Sequence, residues 1–377
     1  MNNNGLYIHI PFCITKCIYC NFVSFKKNEG DCNDYLQALF YEMQLRKESV
    51  KDRIFDSLYI GGGTPGVLSV FQLEEVFKKI KECFNVAPNS EITFETNPKT
   101  LTKDKIEVLK NNGVNRVSLG LQSINEQTLR VLGRQYNLEE FVKSIKLLQS
   151  SNLTNISADI LIGLPQQNKD GLCKTVDLLF DLGLKHVSAY GLKVERGTPL
   201  TKMVAKGSIV LPNEDEAVDL YGYAFEKLES RGFYRYEVSN FANKGFECLH
   251  NINCWKVKEY LGLGLGSHSY MFGKRFSNVK TLSKYCSKIN KGTLPISQSV
   301  KIGFDEQIKE RVMLGLRLEE GIRLDELEKD FKINFFEYFT NSKKLISMGY
   351  CLHKDNKYSI CKDKFYVMNY ILGELLD

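Results

Sequence analysis

For its first 190 residues the chain alternates short apolar runs with helix-like segments, and that alternation limits the folds open to it more than any other feature. Strand-like runs fall at residues 6–10, 57–60, 91–95, 116–119, 157–162 and 186–190. Strands separated by helices pair in parallel through right-handed crossovers, which predicts an α/β fold with helices outside the sheet. Six such units either close most of the way into a partial (β/α)6 barrel or lie open as a doubly wound sheet. Ser69 with Gln72 forms a capping box ahead of Leu73, Val76, Phe77 and Ile80. Asn213 with Glu216 repeats it ahead of Ala217, Leu220, Tyr221, Ala224, Phe225 and Leu228. We read residues 1–230 as the barrel, residues 231–303 as a mixed α/β extension, and residues 304–377 as a small winged-helix-like module. The last has a turn at Gly349 and a hairpin turning at Asp355 and Asn356. Without a strong basic face, its expected role is packing or partner binding rather than DNA binding.

In either architecture the chemistry belongs at the C-terminal ends of the strands. Residues of unusual type gather there. "CITKCIYC" follows the first strand, "GGGTP" the second, Glu95 to Pro98 the third, "GLQS" the fourth and "GLPQ" the fifth.

Cys13, Cys17 and Cys20 lie in the first of these loops. Eleven cysteines, an odd number in a chain without an export signal, argue for reduced thiols and a cytoplasmic location. Three thiolates this close suit a soft metal centre, while packed or free cysteines are the plain alternative. Structural zinc wants a fourth ligand, for which His9 or Cys32 are the neighbours at hand. A four-iron cluster held by three cysteines leaves one iron open, and ligand count favours it. "GGGTP" reads either as a tight turn or as a place where backbone approaches a ligand closely. "LGLGLG", residues 261–266, has glycines at period two and reads as a closely approached strand, not a nicotinamide fingerprint. A net charge of +6 with no Lys/Arg stripe makes nucleic acid a weak candidate and leaves an anionic small molecule open.

"CITKCIYC" resembles the CxxxCxxC signature of the radical S-adenosylmethionine (SAM) superfamily, whose open iron binds SAM. The motifs "LYIHIPFC", "IGGGTP", "FETNP", "RVSLGLQSINEQTLRVLGR", "DILIGLP", "SAYGLKVERGTPL", "YEVSNFA" and "YLGLGLGSHSY", in order along the chain, resemble the oxygen-independent coproporphyrinogen III oxidase family, which includes haem chaperones. The resemblance implies a partial radical SAM barrel, a [4Fe-4S] cluster on Cys13, Cys17 and Cys20, and SAM as cofactor. It places Tyr7 beside the cluster-bound SAM, Tyr19 where the oxidases carry an aromatic residue between two ligand cysteines, and Gly62, Gly63, Thr64, Glu95, Gln122, Arg134, Asp159 and Gly191 around SAM. Strand alternation agrees for Tyr7, which shares a face with His9 opposite Leu6, Ile8 and Ile10. Taken singly, Glu95 and Asp159 also read as buried acids, Arg134 as their ion-pair partner and Gln122 as a strand-end cap.

Two absences divide that family. The oxidases continue their motif with a further cysteine where this chain has Phe22, and they carry an N-terminal extension for which a first strand at Leu6 leaves no room. The chaperone branch lacks both and carries HNxxYW, which resembles "HNINCW" here, with Cys254 at the tyrosine. In that branch the histidine, His250, is implicated in binding haem as cargo; a loop histidine in a hydrogen bond is the plain reading. The resemblance thus favours a haem chaperone over an oxidative decarboxylase. It implies as partners haem or a porphyrinogen, an electron donor, a haem acceptor that can lie at a membrane surface, and a second copy of the chain.

Overall fold

The computed structural model describes residues 4–377; residues 1–3, which the sequence reading includes in the barrel, lie outside the described residues. Six strands follow in order: β1 (Asn4–Ile10), β2 (Ile54–Gly62), β3 (Asn85–Thr96), β4 (Arg116–Gln122), β5 (Ile156–Ile162) and β6 (His186–Gly191). Each pairs in parallel with the next. A seventh parallel strand, β7 (Tyr260–Leu263), flanks β1 on its free side, and antiparallel strands extend both edges to twelve. The architecture is the expected partial barrel.

Alternation along these strands sorts the two faces of the sheet. Leu6, Ile8, Ile10, Leu58, Ile60, Phe94, Val117, Leu119, Ala158, Ile160 and Val187 are all buried in the main core. Between them stand Tyr7, His9, Ser57, Tyr59, Glu91, Glu95, Arg116, Ser118, Ser157, Asp159, His186 and Ser188, which must share the other face. The inner face of this barrel is therefore polar, unlike the aliphatic layers that usually fill an eight-stranded one. Polar side chains at that density require partners or a ligand.

The outer helices form as the sequence predicts. Ser69 and Gln72 make a reciprocal capping box at the start of Val70–Cys83, and that helix buries Leu73, Val76, Phe77 and Ile80. Each such side chain contributes about 1.5–3 kcal/mol. Phe77→Ala, which leaves a cavity at a fully buried position, would cost about 3–5 kcal/mol. The box at Asn213 and Glu216 starts Glu214–Ser230, which buries Leu220, Ala224 and Leu228 and leaves Ala217, Tyr221 and Phe225 only partly covered.

Two expectations need correction. "LGLGLG" is strand only to Leu263; Gly264 and Gly266 have φ of +95° and +67° and form a turn. The close approach is real: a Cβ on Gly262 would sit 2.1 Å from the His268 carbonyl oxygen. The turn is held by the buried Glu42 carboxylate, which accepts from Gly264 N at 2.8 Å, Asn278 Nδ2 at 2.7 Å and Tyr285 Oη at 2.5 Å. Also, Tyr7 and Asp159 lie in the middle of β1 and β5, so the expected site residues are not confined to the C-terminal strand ends.

The C-terminal segment has its own apolar core and a three-stranded sheet of Ile322–Arg323, Lys357–Ile360 and Cys351–Lys354 beside short helices. Asp355 and Asn356, at φ of +51° and +61°, make the hairpin turn with two successive left-handed residues. Arg235 fastens this segment to the barrel: it bonds Glu319 at 3.1 Å and the Lys362 carbonyl at 3.0 Å, with its guanidinium 3.8 Å from the Phe365 ring centre.

Candidate cofactor site at the strand ends

Pro11 follows β1, and the chain enters the loop that carries Cys13, Cys17 and Cys20, all partly buried free thiols. The loop is braced from several sides. Phe12–Cys13 pairs in parallel with Phe25–Lys26, Ile18 N donates to the Leu132 carbonyl at 3.2 Å, and Leu200 N donates to the Ile18 carbonyl at 3.0 Å. The His9 ring bridges Tyr7 Oη at 2.9 Å and the Val23 carbonyl at 2.8 Å. His9 is thus committed, and Cys32 is buried in the helix Glu29–Lys47, so neither serves as a fourth ligand here.

The "GGGTP" turn lies against the same loop. Gly63 N donates to the Ile10 carbonyl and Thr64 N to the Phe12 carbonyl, both at 2.8 Å. Gly62 has φ of +114°, and a Cβ on Gly63 would meet the Phe12 carbonyl oxygen at 2.7 Å. Glycine is required here so that two backbones can touch.

Thr64 Oγ1 donates to Cys13 Sγ at 3.5 Å, Asn97 Nδ2 to Thr64 Oγ1 at 2.8 Å, Arg134 Nη1 to Asn97 Oδ1 at 2.9 Å, and Arg134 Nη2 to Tyr19 Oη at 2.6 Å. Arg134 therefore pairs with Asn97 and Tyr19 rather than with an acid. Glu95 accepts from Tyr59 Oη at 2.6 Å and Gly62 N at 3.0 Å, and Asp159 from Ser118 Oγ at 3.1 Å. Burial raises the pKa of both acids, against the hydrogen bonds that favour their charged forms. Burial likewise pushes the Cys13 and Cys17 thiols up; Thr64 opposes it at Cys13 and the Arg134 charge opposes it at both. Gln122 is buried at the end of β4 with φ of +64°, close to Asn97 and Arg134 around Gly120. Gly191 is glycine for a local reason, since a Cβ there would overlap the Tyr221 hydroxyl at 1.5 Å.

Among the described residues no set of three or more His, Cys, Asp or Glu side chains converges to grip a single ion. A four-iron cluster asks for something else, because each thiolate binds a different iron around a shared volume. Three partly buried thiols on one braced loop fit that demand. For an anionic and cationic cofactor beside it, the fit is carried by Arg134 Nε, which is buried without a hydrogen-bond partner among the described residues, and by the two buried acids. A small recess lined by Ile14, Thr15, Cys17, Asn97, Arg134 and Tyr136 opens next to the loop.

His250 is not brought to the thiols. It sits in the first turn of the helix Leu249–Trp255, deep in the barrel against Gly5, with its ring centre 5.3 Å from that of Tyr59 and 6.5 Å from that of Tyr7. Its Nδ1 meets Ser57 Oγ at 3.1 Å, and burial together with the Arg116 charge lowers its pKa to about 4. Among the described residues Nε2 has no hydrogen-bond partner. Glu91 holds the helix start, accepting from Leu249 N at 2.9 Å and His250 N at 3.0 Å. Cys254 is partly buried and its thiol is pushed up to about 12.

Residues 7–179 match the radical SAM superfamily, and residues 305–363 match the HemN C-terminal domain. Among solved structures, the fold is similar to that of Escherichia coli coproporphyrinogen III oxidase (HemN), a radical SAM enzyme, with a TM-score of 0.88 over 99% of this chain and 90% of that one. At 21% identity that likeness shows the fold. Fold and cysteine loop together define a radical SAM protein. Sequence narrows the class: the chain is 35% identical to heme chaperone HemW of Lactococcus lactis over 88% of this chain and 86% of that protein, and 33% identical to HemW of Bacillus subtilis over 84% of each. It belongs to the HemW family.

Two site residues escaped the sequence reading. Tyr59 orients Glu95, and Asn97 links Thr64 to Arg134. Tyr59 was visible as the alternate residue between Ser57 and Gly61; Asn97 stands two past Glu95 in "FETNP".

Proposed function

We propose that the protein is a haem chaperone that holds a [4Fe-4S] cluster on Cys13, Cys17 and Cys20, binds SAM beside it, and carries haem to an acceptor protein. The observation that carries this reading is the identity to HemW relatives over most of the chain, joined to a cysteine loop that ends in the 67% exposed Phe22 rather than a fourth thiol.

Cys13, Cys17 and Cys20 would ligate three irons, and Glu95, Asp159 and Arg134 would meet the charged groups of SAM, with Gly62, Gly63, Thr64, Gln122 and Gly191 shaping the walls and Tyr7 and Tyr19 flanking. When bound, this pair supplies one-electron chemistry on a sulfonium. The protein's own part is to position the ligands, hold the two acids in a buried setting and keep water from the loop. For haem, Nε2 of His250 is the nitrogen left to meet iron, because Ser57 engages Nδ1. His250 is only 6% exposed, so haem would reach it only if the helix Leu249–Trp255 moved aside.

The test is anaerobic reconstitution followed by haem titration. A Soret band is expected on haem addition, weakened severalfold in His250→Ala. Conversion of coproporphyrinogen III to protoporphyrinogen IX at useful rates would instead favour the oxidative decarboxylase. In Cys17→Ala the four-iron absorption should be absent; full iron uptake there would refute the ligand assignment.

A further inference from the structure

The chain of contacts from Arg134 to Cys13 has a direction that chemistry imposes. A guanidinium has donors only, so the Asn97 atom facing Arg134 Nη1 at 2.9 Å is its oxygen. The Asn97 amide nitrogen is then turned to Thr64 Oγ1, 2.8 Å away, and it can only donate. Thr64 accepts that bond, so its single proton is free for another acceptor, and Cys13 Sγ lies at 3.5 Å. Thr64 is buried, which keeps water from competing for the proton. The guanidinium is itself held from the far side by Tyr19 Oη at 2.6 Å, a residue between Cys17 and Cys20. The relay thus starts and ends in the cysteine loop and crosses the segments that follow β2, β3 and β4. Flipping the Asn97 amide would set donor against donor at Arg134, and a deprotonated Cys13 sulfur can only accept from Thr64.

We propose that Arg134, acting through Asn97, fixes the Thr64 hydroxyl as a donor to the Cys13 sulfur and thereby raises the reduction potential of a cluster held there. The proposal rests on the reading that Cys13, Cys17 and Cys20 hold a four-iron cluster. A hydrogen bond to a ligand sulfur favours the reduced, more negative cluster, and such bonds are among the levers that set these potentials. Arg134 and Asn97 touch no sulfur; they are positioning residues. Asn97→Asp keeps the shape but reverses the logic, because a carboxylate accepts from Thr64 as well as from Arg134 and draws the proton off the sulfur.

The experiment is an EPR-monitored potential titration, without SAM, of reconstituted wild type, Thr64→Ser, Thr64→Val, Asn97→Asp and the double variant Thr64→Val/Asn97→Asp, each checked for four irons. Thr64→Val is expected to make reduction about tenfold less favourable, which is about 59 mV more negative for a one-electron couple, while Thr64→Ser stays at the wild-type value. Asn97→Asp also adds a charge, so it is compared in both backgrounds. Its shift should be larger with threonine than with valine at residue 64, and the difference is the part that passes through the hydroxyl. An unchanged potential in Thr64→Val, or equal Asn97→Asp shifts in the two backgrounds, overturns the relay. If Thr64→Val fails to fold, Thr64→Ala carries the same comparison. Wild type that takes up no cluster would overturn the ligand reading instead, which separates the two failures.

Discussion

Gly63 shows how tightly single positions are constrained around the cysteine loop. Its missing side chain leaves room for the Phe12 backbone, whose carbonyl oxygen and amide nitrogen would lie 2.7 Å and 2.9 Å from a Cβ. Backbone cannot rotate away as a flexible side chain can. Gly63→Ala should therefore cost about 1–3 kcal/mol and push the loop outward. Urea denaturation would read the first effect, and iron content after reconstitution the second, expected below wild type. The thiols, the glycine turn and Glu95 were legible in the sequence, because each is an unusual residue type at a strand end, whereas Asp159, in the middle of β5, was marked only by the family resemblance. Asn97 was not legible. An asparagine before a proline is ordinary in a turn, and only the fold shows that it stands between Thr64 and Arg134.

Among the elements, the short helix Leu249–Trp255 depends on a residue far from it in sequence. Seven residues in isolation would not hold a helix in water. Glu91 on β3 supplies the start, taking two backbone N–H groups and the Cys248 thiol, and its charge faces the buried Arg116. Glu91→Gln removes the charge and leaves Arg116 poorly compensated, at a cost of roughly 2–4 kcal/mol. Hydrogen exchange should report faster opening of residues 249–255 than of β3 itself; equal protection in both proteins would count against this anchoring. The strand and helix pattern of the first 190 residues was readable because alternation and capping boxes are local signals. The seventh strand was not placed, since "LGLGLG" announces a strand but not the neighbour it chooses. Its place beside β1 is set by tertiary packing, including the Glu42 carboxylate at the turn beyond it.

Across the whole molecule the polar interior makes stability depend on pH. His9, His186 and His250 are buried, and burial lowers the pKa of each. For His250 the folded value is about 4 against an ordinary 6.5. Its contribution is complete above pH 6.5 and is lost as pH falls from 6.5 towards 4, because only the unfolded chain takes up the proton there; the full loss is about 3 kcal/mol. Glu237 works in the opposite sense, its carboxyl raised to about 7 by burial, so its contribution is present below pH 4.5 and gone above 7. Comparing urea midpoints of wild type and His250→Gln between pH 7 and pH 4 isolates the histidine. The variant should lose less stability on acidification, and parallel curves would show that His250 titrates normally.

The pairing of Gly5 with Tyr260 bears on how the chain is made. A ribosome delivers β1 long before the strand that covers its free edge, so the cysteine loop hangs from an unfinished sheet during most of synthesis. Unpaired edges of that kind recruit other chains. A loop holding the proposed cluster would be loaded with iron and sulfide after residues 260–263 have docked, so that the strand order would set the sequence of synthesis, folding and cofactor assembly.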